Sequence, residues 1–346
     1  MMNNFSRLLA MKASDEQPMQ IVGDRDSLPV AEWLGMMSKY CGKNANGNTL
    51  LFMTILYGRM DVGDYLLSRG LANIHARDGY GRTFMHVAAI GGHLAAIKWL
   101  MERGLDIDVV DINTDEPSGR TPLHLAAMNG RIDSVRYLAG LGAKIDTRDS
   151  HTFSPMHSAI VTDKTESIKC LKELGLDVNV RDEDGCTPIS MAAGYTNGER
   201  VECIKCLAGL GADIDAKDNS GMTPFFWAVQ VGNIESIKCL ASLGADVHAA
   251  DNRNTAPIFF APMVDKVESI KCLVNTLKID VNIKHENGMT PIFGAAAEGN
   301  IASMKCLKEL GAILDIRDNQ GQTPADLAAK FGRTEAVGWL RVNGAR

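Results

Sequence analysis

Two sets of residues in this chain of 346 residues have side chains that could do chemistry. The first is its eight cysteines, which could hold a metal, close disulfides or form a redox pair. The second is His86, His124 and His157, which come round at similar places in successive segments. Cys203-Ile204-Lys205-Cys206 has the Cys-x-x-Cys spacing of a zinc half-site or a redox pair. No second cysteine pair follows at zinc spacing, and the histidines carry no flanking set of carboxylates or thiolates. His285-Glu286 also lacks ligand partners, and Gly79-Tyr80-Gly81 lacks the third glycine and the preceding strand of a nucleotide-binding loop. The sequence holds no Gly-x-x-x-x-Gly-Lys-Ser/Thr loop, no His-Glu-x-x-His helix and no Gly-x-Ser-x-Gly elbow. No metal, no cofactor and no catalytic set is expected, and the chain reads as a protein that is not an enzyme.

The cysteines make better sense as parts of a repeated element. Ile-Lys-Cys-Leu stands at 168–171, 204–207, 237–240 and 270–273, and Met304-Lys305-Cys306-Leu307 is a fifth copy. Cys170, Cys206, Cys239, Cys272 and Cys306 are separated by 36, 33, 33 and 34 residues, a period that signals one supersecondary unit stacked on copies of itself. In Glu235–Ser242 the apolar Ile237, Cys239 and Leu240 fall on one helical stripe, with Glu235 and Lys238 outside it. Equivalent cysteines in stacked units lie about 8–10 Å apart, beyond the ~7 Å that a disulfide spans. They are therefore expected to be small buried hydrophobes in a reducing, cytoplasmic compartment.

Other signals repeat in step. Thr121-Pro122, Ser154-Pro155, Thr187-Pro188, Thr223-Pro224, Thr290-Pro291 and Thr323-Pro324 each place an N-cap before a proline at the first helical position. Ala256-Pro257 keeps only the proline, while Thr83 and Thr49 keep only the threonine. Small pairs follow, such as Ala88-Ala89, Ala126-Ala127 and Ala192-Ala193, and then a glycine such as Gly232 that can end the first helix in a left-handed conformation. Asp218-Asn219-Ser220-Gly221 and Asp318-Asn319-Gln320-Gly321 are turn sequences.

This pattern closely resembles the ankyrin repeat, whose Thr-Pro-Leu-His-x-Ala signature stands nearly intact at Thr121-Pro122-Leu123-His124-Leu125-Ala126. The resemblance implies an all-α solenoid of stacked helix-turn-helix units with β-hairpin-like fingers. It covers residues 44–346 in about nine repeats, the last acting as a C-terminal cap. Residues 1–43 form an N-terminal segment in which Val30–Leu34 resembles a degenerate capping helix and Ser14–Asp26 reads as irregular. In the family the histidine ties neighbouring repeats through backbone hydrogen bonds. Ser190, Phe226, Phe259 and Phe293 replace it here, which exchanges a polar tie for aromatic packing.

The resemblance also implies function: binding of a partner protein by a concave face of finger tips and exposed ends of first helices. Those positions are Tyr80, Arg82 and Ile90; Arg120, Met128 and Asn129; His151, Phe153 and Val161; Tyr195, if the nearby insertion has not turned it away; Met222, Gln230 and Val231; Met263 and Val264; and Phe331. Many are large and apolar where solvent contact is expected, as at an interaction site.

Departures from the period add three expectations. Five extra residues before Thr121 make Asn113–Ser118 a protruding acidic loop, three more fall near Tyr195, and Pro262 should kink or shorten its helix. The formal net charge of −6, with no basic run interleaved with aromatics, argues against nucleic acid, and no apolar stretch reaches the length of a membrane span. A monomer is expected rather than an oligomer. Two other classes remain open at this stage: an adaptor or translocated effector delivered into a host cell, and a self-associating structural solenoid.

Overall fold

The computed structural model describes residues 28–41, 47–112, 119–196, 198 and 200–344. The chain divides into two compact units, Met1–Leu176 and Asp177–Arg346. Residues 14–26 and the loop 113–118 lie outside the described residues.

The first unit consists of α1 (Val30–Cys41), α2 (Gly47–Tyr57), α3 (Met60–Ser68), α4 (Phe84–Gly91), α5 (Leu94–Met101), α6 (Pro122–Met128), α7 (Ile132–Gly140), α8 (Pro155–Val161) and α9 (Thr165–Glu173). The second consists of α10 (Pro188–Gly194), α11 (Val201–Gly209), α12 (Pro224–Val231), α13 (Ile234–Ser242), α14 (Pro257–Met263), α15 (Val267–Lys271), α16 (Pro291–Glu298), α17 (Ile301–Glu309), α18 (Pro324–Lys330) and α19 (Thr334–Val342). A π-turn over Cys272–Thr276 continues α15.

Most first helices begin at an extended Thr or Ser followed by Pro, while α14 begins at Ala256. The hydroxyls of Thr187 and Thr223 accept from the backbone N–H groups of Ser190 and Phe226, which satisfies one orphan donor of each helix. Gly92, Gly232 and Gly299 close α4, α12 and α16 in the left-handed conformation. Asp163 and Asp265 stand two residues past the ends of α8 and α14 with φ of 59° and 55°.

First helices pack on first helices, α4 on α6 and α6 on α8 in one unit, and α10, α12, α14, α16 and α18 in series in the other. The alanine pairs Ala88-Ala89, Ala126-Ala127, Ala192-Ala193 and Ala295-Ala296 are fully buried, so small side chains let neighbouring helices approach closely. Second helices stack behind them, α7 on α9, α11 on α13 and α15 on α17. Ile237 and Leu240 are fully buried between helices, as are Ile204 and Leu207. The lysine of each Ile-Lys-Cys-Leu string instead reaches outward to a glutamate three residues earlier: Lys169 to Glu166 at 2.6 Å, Lys205 to Glu202 at 2.8 Å, and Lys238 to Glu235 at 2.7 Å. Exposed pairs of this kind contribute little to stability, so apolar packing of the inner face decides the fold.

The expected β-hairpin-like fingers are not present: among the described residues there is no strand. An aspartate side chain has taken the place of a ladder. Asp149 Oδ1 accepts from the N–H groups of His151 and Phe153, both at 2.9 Å, and Asp218 Oδ1 accepts from Ser220 and Met222 in the same way. With those donors committed to one carboxylate, the tip closes as a turn with two backbone bonds, Asp218 N–H to Met222 O and Gly221 N–H to Asp218 O, each at 3.0 Å. Asn219, Asn252 and Asn319 each join their tip to the preceding one in the second unit by one backbone bond and one side-chain bond, whereas His285 Nε2 meets Asn254 O instead. Asn252 donates through its N–H to Ser220 O and through Nδ2 to Asn219 O, each at 2.9 Å. Gly221 is required there, because a Cβ would sit 2.3 Å from Asn252 Oδ1.

Three further expectations meet the structure differently. Pro262 does not shorten its helix, since α14 has the same seven residues as α6. Pro262 falls in the last turn, where little helix remains to be disrupted. The 34-residue step from Cys272 to Cys306 contains one extra residue, absorbed by the π-turn, in which Leu277 N–H reaches Cys272 O. Cys170, Cys239, Cys272 and Cys306 are buried, but Cys206 is only half-buried. No helix among the described residues is long and apolar enough to cross a membrane.

Candidate interaction surface

The turn tips are held by groups that leave little freedom. In the first unit His86 Nε2 lies 2.9 Å from Arg120 O, and His124 Nε2 lies 3.0 Å from Phe153 O. Each histidine thus ties the start of its own helix to the next turn. A carbonyl only accepts, so Nε2 carries the proton and Nδ1 is the acceptor for the N-cap N–H and hydroxyl of Thr83 or Thr121. Burial holds the His86 imidazole neutral and pushes its pKa down to about 4, and burial also lowers that of His124. Arg77 and Arg181 brace the turns from outside, each donating to the carbonyl of its own turn glycine and to one carbonyl of the next turn.

None of the surface residues named from the sequence is buried. In the first unit Tyr80 is 41% exposed, His151 and Asn129 are exposed, and Arg82, Ile90, Arg120, Met128, Phe153 and Val161 are half-buried. In the second, Phe331 is 54% exposed and Met263 and Val264 just over a third, while Tyr195, Met222, Gln230 and Val231 are half-buried.

Several have structural work as well. Arg82 pairs with Asp78 at 2.7 Å and lies over the Tyr80 ring at 4.6 Å, and Arg120 is bound to Asp111. Asn129 donates to Leu125 O within its own helix end. The Phe153 ring is stacked on His157 with centroids 5.5 Å apart, and Arg200 lies 4.3 Å over the Tyr195 ring. Ile90, Met128 and Val161 follow one another at the ends of α4, α6 and α8. Ile90 O accepts from Arg131 Nε at 2.9 Å, and Met128 O from the Thr162 hydroxyl.

One feature of the second unit was not read from the sequence. A cleft of about 250 Å³ opens between α14, α16 and their turns, lined by Arg253, Thr255, Phe259, Met263, His285, Asn287, Met289, Thr290, Phe293, Gly294, Ala297 and Leu327. Of the positions expected to bind, only Met263 belongs to it. Gly294 lines it and stands where other first helices carry Val87, Leu125, Ser158, Met191, Trp227 or Phe260, and Met263 packs so closely on it that a Cβ would lie 2.7 Å from Met263 Cγ. The signal in the sequence was a glycine at a position otherwise filled by larger side chains, next to a turn in which His285 replaces the usual aspartate.

No group of His, Cys, Asp and Glu that could hold a metal ion is found among the described residues. The described cysteines are free thiols. Burial pushes the Cys170, Cys239, Cys272 and Cys306 thiols up, and Cys186 up to about 12, away from the reactive thiolate range.

Residues 19–111, 156–251 and 258–346 match a family profile described as ankyrin repeats in three copies, and 85–139 and 123–171 match one described as ankyrin repeats in many copies. A putative ankyrin repeat protein of Rickettsia bellii is 39% identical over 64 residues, 18% of this chain and 38% of the relative. Human cyclin-dependent kinase 4 inhibitor B is 41% identical over 51 residues, 15% of this chain and 37% of the relative. The aligned regions thus span less than two fifths of each curated relative.

Proposed function

This chain belongs to the ankyrin-repeat family, and from that premise we propose that it is a non-catalytic scaffold that binds a partner protein through its turn tips and the exposed ends of its first helices. The observation that carries the reading is the placement of apolar side chains. Tyr80 at a turn tip and Met263, Val264 and Phe331 at the ends of first helices are each more than a third exposed, while the inner positions of α14 and α18 are filled with buried Ile258, Ala261, Leu327 and Ala328. Exposed apolar groups on rigid supports are what a protein interface uses, and aromatic and methionine side chains are enriched at its centre. The braced turns support the same reading, since a preorganised surface loses little entropy on binding. The human relative's name describes an inhibitor of another protein, in keeping with action through binding.

Within this reading residues 1–43 are a leading segment with α1 as its cap, and α18 and α19 form the closing repeat. The free, largely buried thiols suit a reducing compartment, so the cytoplasm is the proposed location.

Two alanine variants test the surface, one for each unit: Met128, Phe153 and Val161 together, and Val231, Val264 and Phe331 together. Truncating interface hot spots costs about 2 kcal/mol or more in binding, whereas exposed substitutions change stability by about 0.5 kcal/mol. At least one variant should keep its melting transition and lose capture of partners recovered by crosslinking to the unaltered chain. Undiminished capture by both folded variants would move the site elsewhere on the chain.

A further inference from the structure

The cleft lies between α14, α16 and their turns, and three features limit what can fill it. The first is size. At about 250 Å³ it falls below the roughly 300–1,000 Å³ of a small-molecule pocket, and it has the scale of one anchoring side chain. The second is its wall, where Phe259 and Met263 present apolar surface on which methionine can readjust. The third is polarity. Thr290 lines the cleft, is 1% exposed, and has a hydroxyl with no hydrogen-bond partner. In α10 and α12 the equivalent hydroxyls of Thr187 and Thr223 cap the helix, but here Phe293 N–H turns to Thr290 O at 3.0 Å. A buried hydroxyl without a partner is costly, and an incoming peptide group would satisfy it.

Charge then selects the occupant. The ionisable lining residues are Arg253 and His285, and no acidic side chain lines the cleft. His285 is already engaged through Nε2, 2.7 Å from Asn254 O, whereas Arg253 is exposed at the turn tip. We propose that this cleft is an anchor site for a segment of the partner protein that inserts one Leu, Met, Ile or Phe side chain and sets an Asp or Glu beside Arg253. This rests on the binding function proposed above and names the chemistry of the partner. A second copy of this chain is a poorer fit overall, because each copy carries a net charge of −6.

Selection of short displayed peptides on the immobilised full chain tests the assignment. The enriched sequences should pair one large apolar residue with a nearby Asp or Glu. A synthetic peptide made from them should lose affinity by about tenfold or more on Gly294→Leu, which fills the cleft. Because the new side chain must displace Met263, whose Cγ would lie 2.7 Å from the added Cβ, Arg253→Glu serves as a second variant at an exposed position. It should weaken the acidic peptide by a similar factor and favour a version with Lys in place of the acid.

Several outcomes would overturn the proposal. One is enriched peptides with no acidic bias, or none enriched at all. Another is peptides that bind both variants like the unaltered chain. If those peptides are instead lost with the alanine variant of Met128, Phe153 and Val161, the binding function stands and the cleft does not. Self-association of the full chain that Gly294→Leu abolishes would assign the cleft to a second copy.

Discussion

His86 and His124 show how one residue type joins local and long-range structure. Each accepts at Nδ1 from its own helix start and donates at Nε2 to the following turn, a geometry that requires the neutral ring. An imidazole whose pKa falls on folding binds its proton more tightly in the unfolded chain. The resulting stability is fully present above the ordinary value of 6.5 and is lost as pH drops through that value toward about 4 for His86. The slope from one such group approaches about 1.4 kcal/mol per pH unit inside that window. Denaturant midpoints measured between neutral and mildly acidic pH should fall accordingly, and His86→Gln should flatten the dependence. A midpoint independent of pH across the window would contradict the tie.

A second pair of side chains gives opposite signs at one repeat position. Ser167 Oγ donates to Ala127 O at 2.8 Å, whereas the Ser236 hydroxyl is buried without a partner. Ser167→Ala should cost about 1 kcal/mol and Ser236→Ala should be neutral or stabilising, as equilibrium unfolding would read.

At the scale of elements, most helices are encoded locally. The Thr-Pro starts, the alanine pairs and the Ile-Lys-Cys-Leu strings identify first and second helices by residue type and spacing alone. The hairpin-like fingers are what the family resemblance implies, while Asp-Asn-x-Gly by itself predicts only a tight turn. Whether such a reversal grows into a ladder depends on where its N–H groups go, and the aspartate claims them. Insertions are legible only in part. The 34-residue spacing reveals one extra residue after Cys272, but not that a π-turn absorbs it and leaves Lys278 at φ 60°. The equivalent positions elsewhere are glycines, including Gly211, Gly244 and Gly311. Lys278→Gly should therefore stabilise the second unit by about 1 kcal/mol, read as a higher denaturant midpoint with an unchanged slope. A lower midpoint would mean that the lysine side chain contributes more than the backbone strain removes. None of the expected binding positions is buried, six being exposed and ten half-buried. The Gly294 cleft was not legible in the same way. It is lined by side chains of separate repeats, and it exists only once α14 and α16 are set side by side.

For the whole molecule, stability in a repeat protein is close to a sum of unit terms and nearest-neighbour terms, so a weak unit also weakens its neighbours. In this chain the departures from the pattern concentrate in the repeat of α14 and α15. Its N-cap is Ala256, which has no side chain to offer, and Pro262 removes an N–H from α14. Asn254, Asp265 and Lys278 hold positive φ without being glycine, and the second helix carries the π-turn. The repeat of α6 and α7 has none of these departures and carries the complete Thr121 and His124 cap. Opening free energies in such chains range from near zero up to the global value. Native-state hydrogen exchange should therefore be fastest, among helical amides, across 257–276, with protection rising again toward 301–309, and it should be slowest across 122–140. The same order should hold when mild denaturant is added, with the amides of α14 and α15 exchanging by sub-global opening before those of α6 and α7 respond. Uniform protection from 122 to 309 would show that the neighbouring interfaces outweigh the local defects.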